Sequence, residues 1–336
     1  MSSLKRPVRL FIKAAFSAIA IGGLIAGINW HELPKLIVGY RWEFAVLAFV
    51  GLMIQFPISG LKWRTALRVC NVDLSFTRLT RFYCISHFVG QFLPTSIGGD
   101  AYRVYRVLPL VEPHSRAVTS IVIDRIVGLA ALLCLGAVGA LFLMDHFKLP
   151  QGYLTALGFG ALGAVIGGAA LYLGWFGLLR RKLQHLKMVS AIQQDLMQLL
   201  RAGWNWLPLL CMAFVFQIIA VTIVYMLFLG AGSTIGFAEV ALIAAVTGLA
   251  GMLPLAINGI GVTEGTITLA GVALGADYED AAVAAVLLRV VVLPLSCACG
   301  VLYWRESHGK HAAESAKALS GGPQARSVSG KTAIPV

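Results

Sequence analysis

Long runs of apolar residues, separated by short polar and basic strips, occupy most of the chain. A helix that crosses the ~30 Å hydrocarbon core of a bilayer needs about 20 mainly apolar residues. The runs that meet this requirement are residues 8–28, 44–61, 117–144, 153–179, 206–229 and 281–304. We therefore predict an all-α membrane helix bundle with about six full spans.

Two further apolar stretches, residues 81–109 and 240–275, are interrupted near the middle by proline and glycine. Proline removes a backbone hydrogen-bond donor and glycine permits turns, so each helix should break there. Broken backbone at membrane depth is tolerated only where protein buries it or where it lines a wet cavity. We predict two re-entrant helical segments.

The polar stretches between and after the spans are short. Residues 180–201 carry apolar residues at helical spacing, which predicts an amphipathic helix in the cytoplasmic interface; a solvated linker helix is the alternative. Residues 305–336 lack periodicity and predict a disordered cytoplasmic tail behind a membrane domain of residues 1–304. The basic N-terminus and the apolar run to residue 28 resemble a signal peptide without a cleavage site, so we predict an uncleaved first span.

Composition excludes several classes of protein. Of the 336 residues, 58% are apolar and 12% charged, whereas a soluble domain carries about 25% charged residues. The excess of 12 positive charges lies in strips between apolar runs, which indicates membrane topology rather than a nucleic-acid surface. The six cysteines and seven histidines form no metal-ligand pattern. We expect no metal, no cofactor and no nucleic-acid partner.

The basic strips also set the orientation, because cytoplasmic loops are enriched in Lys and Arg. The strips at 5–13, 62–81 and 180–201, and the tail from 305, fall on one side if both termini are cytoplasmic. The first interrupted stretch must then re-enter from the cytoplasm and the second from outside. We predict a multi-pass protein of the inner or plasma membrane.

The two interrupted stretches resemble each other and predict an inverted repeat. Each has Leu-Pro, a spacer that ends in Ile, glycines and then an acid, and each is followed by a charge inside a long apolar helix. Broken helices in inverted halves form the binding sites of many transporters, and helix N-termini suit phosphate. The helix-break residues are Pro94 and Pro254.

Charges inside the apolar runs are the candidate binding groups. An unpaired charge there costs at least ~2.5–3.5 kcal/mol, so acids and arginines should pair. Asp100, Asp124 and Glu264 are the expected partners of Arg103, Arg125 and Arg289. An arginine can bind a lipid phosphate in bidentate fashion. Ion pairs that merely hold the bundle together are the alternative.

These motifs resemble the flippase-like membrane domain of lysylphosphatidylglycerol synthases and their stand-alone relatives. The resemblance lies in Leu93 to Arg103 with the following Asp124-Arg125, and in Leu253 to Gly265 with the following Leu288-Arg289; it covers residues 8–304. It implies a helical bundle that binds or moves a polar lipid. The substrate-binding positions that it implies are Gly98, Gly99, Asp100, Arg103, Asp124, Arg125, Asn258, Gly259, Gly261, Glu264 and Arg289.

Two departures from the family pattern affect the predicted site. Thr263 stands where the family usually has arginine, and Ala256 where it often has serine. The loss of a cation and a hydroxyl leaves the outer half open to a less acidic or less phosphate-dependent headgroup. Too few residues follow Trp304 for the synthase domain, so we expect no synthase activity.

We expect transport, or flipping, of a phospholipid or polyprenyl-phosphate lipid, and no enzymatic activity or catalytic residue. One alternative is a lipid-binding accessory protein of an envelope lipid or glycan synthesis complex. Another is an intramembrane lipid-modifying enzyme, although His87 and His114 beside the first motif have no acid at helical spacing. Partners that fit are membrane lipid, a second copy of the chain, or a lipid synthesis enzyme.

Overall fold

The computed structural model describes residues 38–92, 98–143, 206–252 and 259–320, and residue 22 by itself. Within this part of the chain there are eight α-helices, one short 3-10 helix (Leu108–Leu110) and no strand. The helices are α1 (Trp42–Val69), α2 (Phe76–Phe92), α3 (Gly98–Val107), α4 (Ser115–Phe142), α5 (Leu207–Ala231), α6 (Phe237–Met252), α7 (Val262–Ala273) and α8 (Tyr278–Ser320).

Four of these helices are long and apolar enough to cross a membrane: α1, α4, α5 and the Tyr278–Glu306 part of α8. They contain or overlap four of the six predicted spans, and the predicted all-α membrane fold is confirmed to that extent. The predicted span 153–179 and the predicted interfacial helix 180–201 lie outside the described residues, as does the predicted span 8–28 except for residue 22.

Each interrupted stretch forms a helix on either side of its interruption. The first gives α2 and α3, with α3 beginning at Gly98. The second gives α6 and α7, and α7 begins directly after Gly261. Gly261 has φ 85° and Gly259 has φ 69°, a left-handed backbone that favours glycine. The breaks themselves, with Pro94, Pro254 and Asn258, lie outside the described residues.

The long helices pack in antiparallel pairs. Along α1 and α5, the Arg41 N–H donates to the Gly230 carbonyl at 2.9 Å, and the Gln55 side chain donates to the Phe216 carbonyl at 3.4 Å. Between α4 and α6, a Cβ placed on Gly136 would lie 2.4 Å from the Ala245 methyl group. Glycine at this position therefore lets the two helices approach closely, as small residues do in membrane bundles.

The two ends of the bundle carry opposite charge. At one end, here called the basic end, α1 finishes, α2, α4 and α5 begin, and α8 passes Glu306. The arginines of this end include Arg64, Arg68, Arg78, Arg81, Arg106, Arg116 and Arg305. At the opposite, acidic end α8 begins, with Asp277, Glu279 and Asp280.

The last helix extends beyond its predicted span. α8 continues to Ser320, so the backbone from residue 305 to residue 320 is helical, where the sequence predicts the start of a disordered tail. The division of the chain into a membrane domain and a tail stays a prediction.

Candidate functional site

A cavity of about 400 Å³ lies beside the first helix break. Among the described residues, six helices line it: α1, α2, α3, α4, α5 and α6. Gln91 and Gly99 line it from the two sides of the first break, and Gly251 lines it from just before the second. The cavity therefore brings both interrupted stretches to one place.

Asp124 is the buried acid of this cavity. It lies nine positions into α4 from Ser115, about 13 Å along the helix axis. Lys62 Nζ is 3.2 Å from Asp124 Oδ1, and Arg103 Nη1 and Nη2 are 3.2 and 3.3 Å from Oδ2. All three residues are less than one-tenth exposed: 7% for Lys62, 3% for Arg103 and 4% for Asp124. Buried charges require such pairing.

Asp100 extends the pairing toward the open side of the cavity. Its Oδ1 accepts a hydrogen bond from Arg103 Nη1 at 3.3 Å, and its Oδ2 accepts one from Arg125 Nε at 2.7 Å. The Arg125 side chain is 53% exposed. We name the series Lys62, Asp124, Arg103, Asp100 and Arg125 the charge network. It has three cations and two carboxylates, so its net charge is positive.

Aromatic rings hold the two buried cations in position. The Arg103 guanidinium carbon lies 4.2 Å from the centre of the Trp63 ring and 5.2 Å from that of Tyr83. Lys62 Nζ lies 4.7 Å from the centre of the Phe216 ring. Cation–π contacts of this kind contribute ~2 kcal/mol or more when desolvated. They also fix the direction in which each cation points.

Glu264 and Arg289 form a separate ion pair, and neither lines the cavity. Arg289 Nε binds Glu264 Oε1, while Glu264 Oε2 accepts a hydrogen bond from the Gly261 N–H at 2.7 Å. The carboxylate therefore caps the first turn of α7 and ties it to α8. The sequence predicts that N–H groups at this helix start face a phosphate, but the Gly261 N–H donates to Glu264 instead.

The Asp100–Arg125 and Glu264–Arg289 ion pairs have the same spacing in sequence. Arg125 pairs with Asp100 through Nε, and Arg289 pairs with Glu264 through Nε, and each pair is 25 residues apart. Both acids are the third residue of a short helix that follows a break. At the positions equivalent to Arg103 and Asp124, the second half has Ile267 and Leu288. The charge network is thus a feature of the first half.

The structure brings part of the predicted site together. Gly99, Asp100, Arg103, Asp124 and Arg125 line the cavity, whereas Glu264 and Arg289 form their own pair. Gly98 starts α3 and is buried, and Gly259 and Gly261 lie at the start of α7. Two of the three expected ion pairs form, Asp100–Arg103 and Glu264–Arg289. In place of the expected Asp124–Arg125 pair, Arg125 pairs with Asp100, and Asp124 pairs with Arg103 and Lys62. Their role in binding substrate stays a prediction.

Sequence reasoning missed Lys62, which it assigned to a cytoplasmic basic strip. Lys62 is buried because α1 continues to Val69, eight residues past the predicted end of that span. The buried positions Phe56, Ser59, Trp63 and Ala66 recur at helical spacing, and this pattern was the available signal. Gln217, a polar residue within the apolar run of α5, also lines the cavity and gave a similar signal.

Within the described part of the chain, the histidine of the cavity wall contacts an amide and an aromatic ring rather than an acid. The His87 Nε2 atom lies 3.4 Å from the Gln91 amide nitrogen, and its ring packs edge-on against Phe56. Across the described ranges, no three His, Cys, Asp or Glu side chains are grouped so that they could hold a metal ion. The cavity chemistry is thus that of guanidinium, ammonium and carboxylate groups.

Comparison with known proteins agrees with this architecture. Residues 10–300 match the family model described as "Lysylphosphatidylglycerol synthase TM region". The chain is also 23% identical over 133 residues to the UPF0104 membrane protein of Methanocaldococcus jannaschii. That match covers 39% of this chain and 38% of the archaeal protein. The family match spans most of the chain, and the protein belongs to the lysylphosphatidylglycerol synthase TM region family, as the sequence motifs predict.

Proposed function

We propose that this protein transports a polar lipid, headgroup first, across the cytoplasmic membrane. The observation that carries the proposal is the charge network, which lines a cavity beside a helix break in a membrane protein. Charged side chains inside a membrane are expensive and are usually functional. Membership in the family is compatible with a lipid-related role in the membrane.

The charge network favours a headgroup that carries phosphate. It holds one more cation than carboxylates. Arg125 is half exposed and has a single acid partner, Asp100, among the described ion pairs. A phosphate that binds Arg125 can take the place of Asp100 as its partner. Asp100 then still pairs with Arg103, so no buried charge is left unpaired. A phospholipid or a polyprenyl-phosphate lipid fits this site.

The proposed architecture has about six full spans and two re-entrant segments in an inverted repeat. The shared 25-residue spacing of the Asp100–Arg125 and Glu264–Arg289 pairs supports the repeat. Alternating exposure of the cavity would then come from one half rocking against the other, with the lipid chains remaining in the bilayer.

The proposed orientation puts the basic end and both termini in the cytoplasm. The strip from 62 to 81 and the chain after 305, which are far apart in sequence, meet at this end through the Arg81–Glu306 ion pair. Lys62 is the exception, since it lies buried in the cavity. The acidic end would face outward.

Reconstitution into liposomes tests the proposal. Purified protein should move the headgroups of fluorescent phospholipids or polyprenyl-phosphate sugars faster than protein-free vesicles do, with anionic headgroups moving faster than neutral ones. No translocation above protein-free vesicles for any lipid of the panel would overturn it. Lipid binding without translocation would support the accessory-protein alternative instead.

A further inference from the structure

A second cavity, of about 380 Å³, lies at the basic end, outside the site described above. Its charged residues are Arg78 and Arg81 of α2, Arg106 of α3 and Glu306 of α8. Ser75 and Thr77, at the start of α2, add hydroxyl groups to the wall. We name it the arginine cavity. Among the described residues its lining holds three guanidinium groups and one carboxylate, so their net charge is positive.

Glu306 is the acid that lines the arginine cavity within the described part of the chain. It forms an ion pair with Arg106, and its Oε2 lies 3.4 Å from Arg81 Nε without hydrogen-bond geometry. The Glu306 side chain is 13% exposed, whereas that of Arg81 is 50% exposed. One carboxylate thus faces two arginines, and Arg81 is half exposed without a hydrogen bond to Glu306.

Arg106 is held in place for binding. Its guanidinium carbon lies 4.6 Å from the centre of the Phe82 ring and 5.9 Å from that of Tyr102. Stacking on aromatic rings orders an arginine before any ligand arrives, which lowers the entropic cost of binding. Arg103 of the charge network lies one helical turn away on α3, so the two cavities are neighbours along one short helix.

Exposed aromatic side chains place the arginine cavity at the level of lipid headgroups. Phe76, Tyr105, Trp206, Tyr303 and Trp304 are exposed, and all lie at the basic end. Such rings collect where the hydrocarbon meets the headgroups. A basic cavity at that depth faces the phosphates of the bilayer.

We propose that the arginine cavity is a second binding site for the phosphate of an anionic phospholipid, at the membrane interface. The phosphate binds Arg81 and Arg78 and competes with Glu306 for Arg106. The site lies one turn of α3 from the charge network, on the route by which a headgroup from this leaflet would reach it. Binding here is measurable without transport, so the proposal stands independently of the proposed function.

Native mass spectrometry of the full-length protein in detergent tests this proposal. Phosphatidylglycerol should bind at least about tenfold more tightly than phosphatidylcholine. Both lipids carry the phosphate, but the arginines repel the choline ammonium of phosphatidylcholine. The double variant Arg81→Gln, Arg106→Gln should weaken one phosphatidylglycerol binding event about tenfold or more. Glu306→Gln should tighten that event, because it removes the competing carboxylate. Arg305→Gln, an exposed neighbour that does not line the cavity, is the matched control and should change nothing.

Three outcomes would overturn the proposal. One is equal binding of the two lipids, and another is phosphatidylglycerol binding that the double variant leaves unchanged. The third is that the variants change the binding of inorganic phosphate in the predicted way but leave the binding of the lipid unchanged. The ligand would then be a free anion. If the double variant does not fold, Arg81→Gln alone and Glu306→Gln must still shift affinity in opposite directions. The same changes in lipid affinity should appear when Arg125→Gln is also present. That result would show that the arginine cavity binds lipid independently of the charge network.

Discussion

Asp124 lies between the buried cations Lys62 and Arg103, and both depend on it for charge balance. Lys62 has no other acid partner among the described residues, while Arg103 also contacts Asp100. Breaking a buried ion pair by removing one partner costs more than the pair itself contributes, because the remaining charge is left uncompensated.

We predict that Asp124→Asn lowers the free energy of unfolding by about 3–5 kcal/mol, the usual cost of leaving a buried charge unpaired. Arg125→Gln should cost no more than ~1 kcal/mol, since this side chain is half exposed. Unfolding in detergent, followed by tryptophan fluorescence, measures both. Equal stability of the two variants would show that the pairing of Asp124 contributes little.

Arg289 is the cation of the second half. Its ion pair with Glu264 ties α7 to α8, so its loss should impair transport by loosening α7. Arg289→Ala leaves the buried Glu264 with the Gly261 N–H but without its arginine. We predict that this variant folds but no longer moves lipid, whereas Arg289→Lys keeps part of the activity. Translocation in liposomes gives the comparison. Full activity of Arg289→Ala would remove the residue from the transport mechanism.

At the scale of the helices, α2 and α3 depend on close backbone contact. A Cβ on Gly99 would lie 2.7 Å from the Ser86 carbonyl oxygen and 3.8 Å from the Gly90 Cα. Both partner atoms are backbone, so relief requires that α3 moves. This contact holds the short helix that carries Asp100 and Arg103 against the cavity wall.

Gly99→Ala should therefore destabilise the protein by ~1–3 kcal/mol, the range for overpacking in a core. Gly265→Ala is the matched control: it lies in α7 with nothing within 4 Å of the added methyl group, so stability should be unchanged or slightly higher. Thermal unfolding of the two variants side by side provides the measurement. A Gly99→Ala protein as stable as Gly265→Ala would argue against tight α2–α3 contact.

The helix starts and the ion-pair partners could be predicted because their causes are local. Glycine after an interrupted apolar run predicted helices that begin near Gly98 and Gly261, and an acid near a deep arginine predicted pairing. The contacts of Lys62 with Asp124 and Phe216 join three helices far apart in sequence, and only the folded bundle brings them together. The exclusion of Glu264 and Arg289 from the cavity likewise depends on tertiary packing.

For the whole molecule, the separation of charge between the two ends supports one orientation in the membrane. Basic side chains and exposed Trp and Tyr residues mark the end near Glu306, and acidic residues mark the start of α8. Trp42, Phe142 and Phe237 are exposed near the acidic end. Two aromatic belts of this kind are expected where a bundle meets both membrane interfaces.

Single cysteines test this orientation. Arg305→Cys should react with a membrane-impermeant thiol reagent only in inside-out vesicles, and Asp277→Cys only in intact cells. The wild-type protein controls for its own six cysteines. Labelling of Arg305→Cys from outside the cell would reverse the orientation.

In the proposed mechanism a lipid headgroup crosses the membrane through the charge network. Arg125 is the residue to change, because it lines the cavity, is half exposed and can be replaced with little expected loss of stability. The measurement is the initial rate of anionic headgroup translocation in liposomes for wild type, Arg125→Lys and Arg125→Gln at equal protein content. We predict that Arg125→Lys keeps most of the rate and that Arg125→Gln loses about tenfold or more, as one lost charge-assisted contact implies. A folded Arg125→Gln protein that moves lipid at the wild-type rate would contradict passage of the headgroup through the charge network.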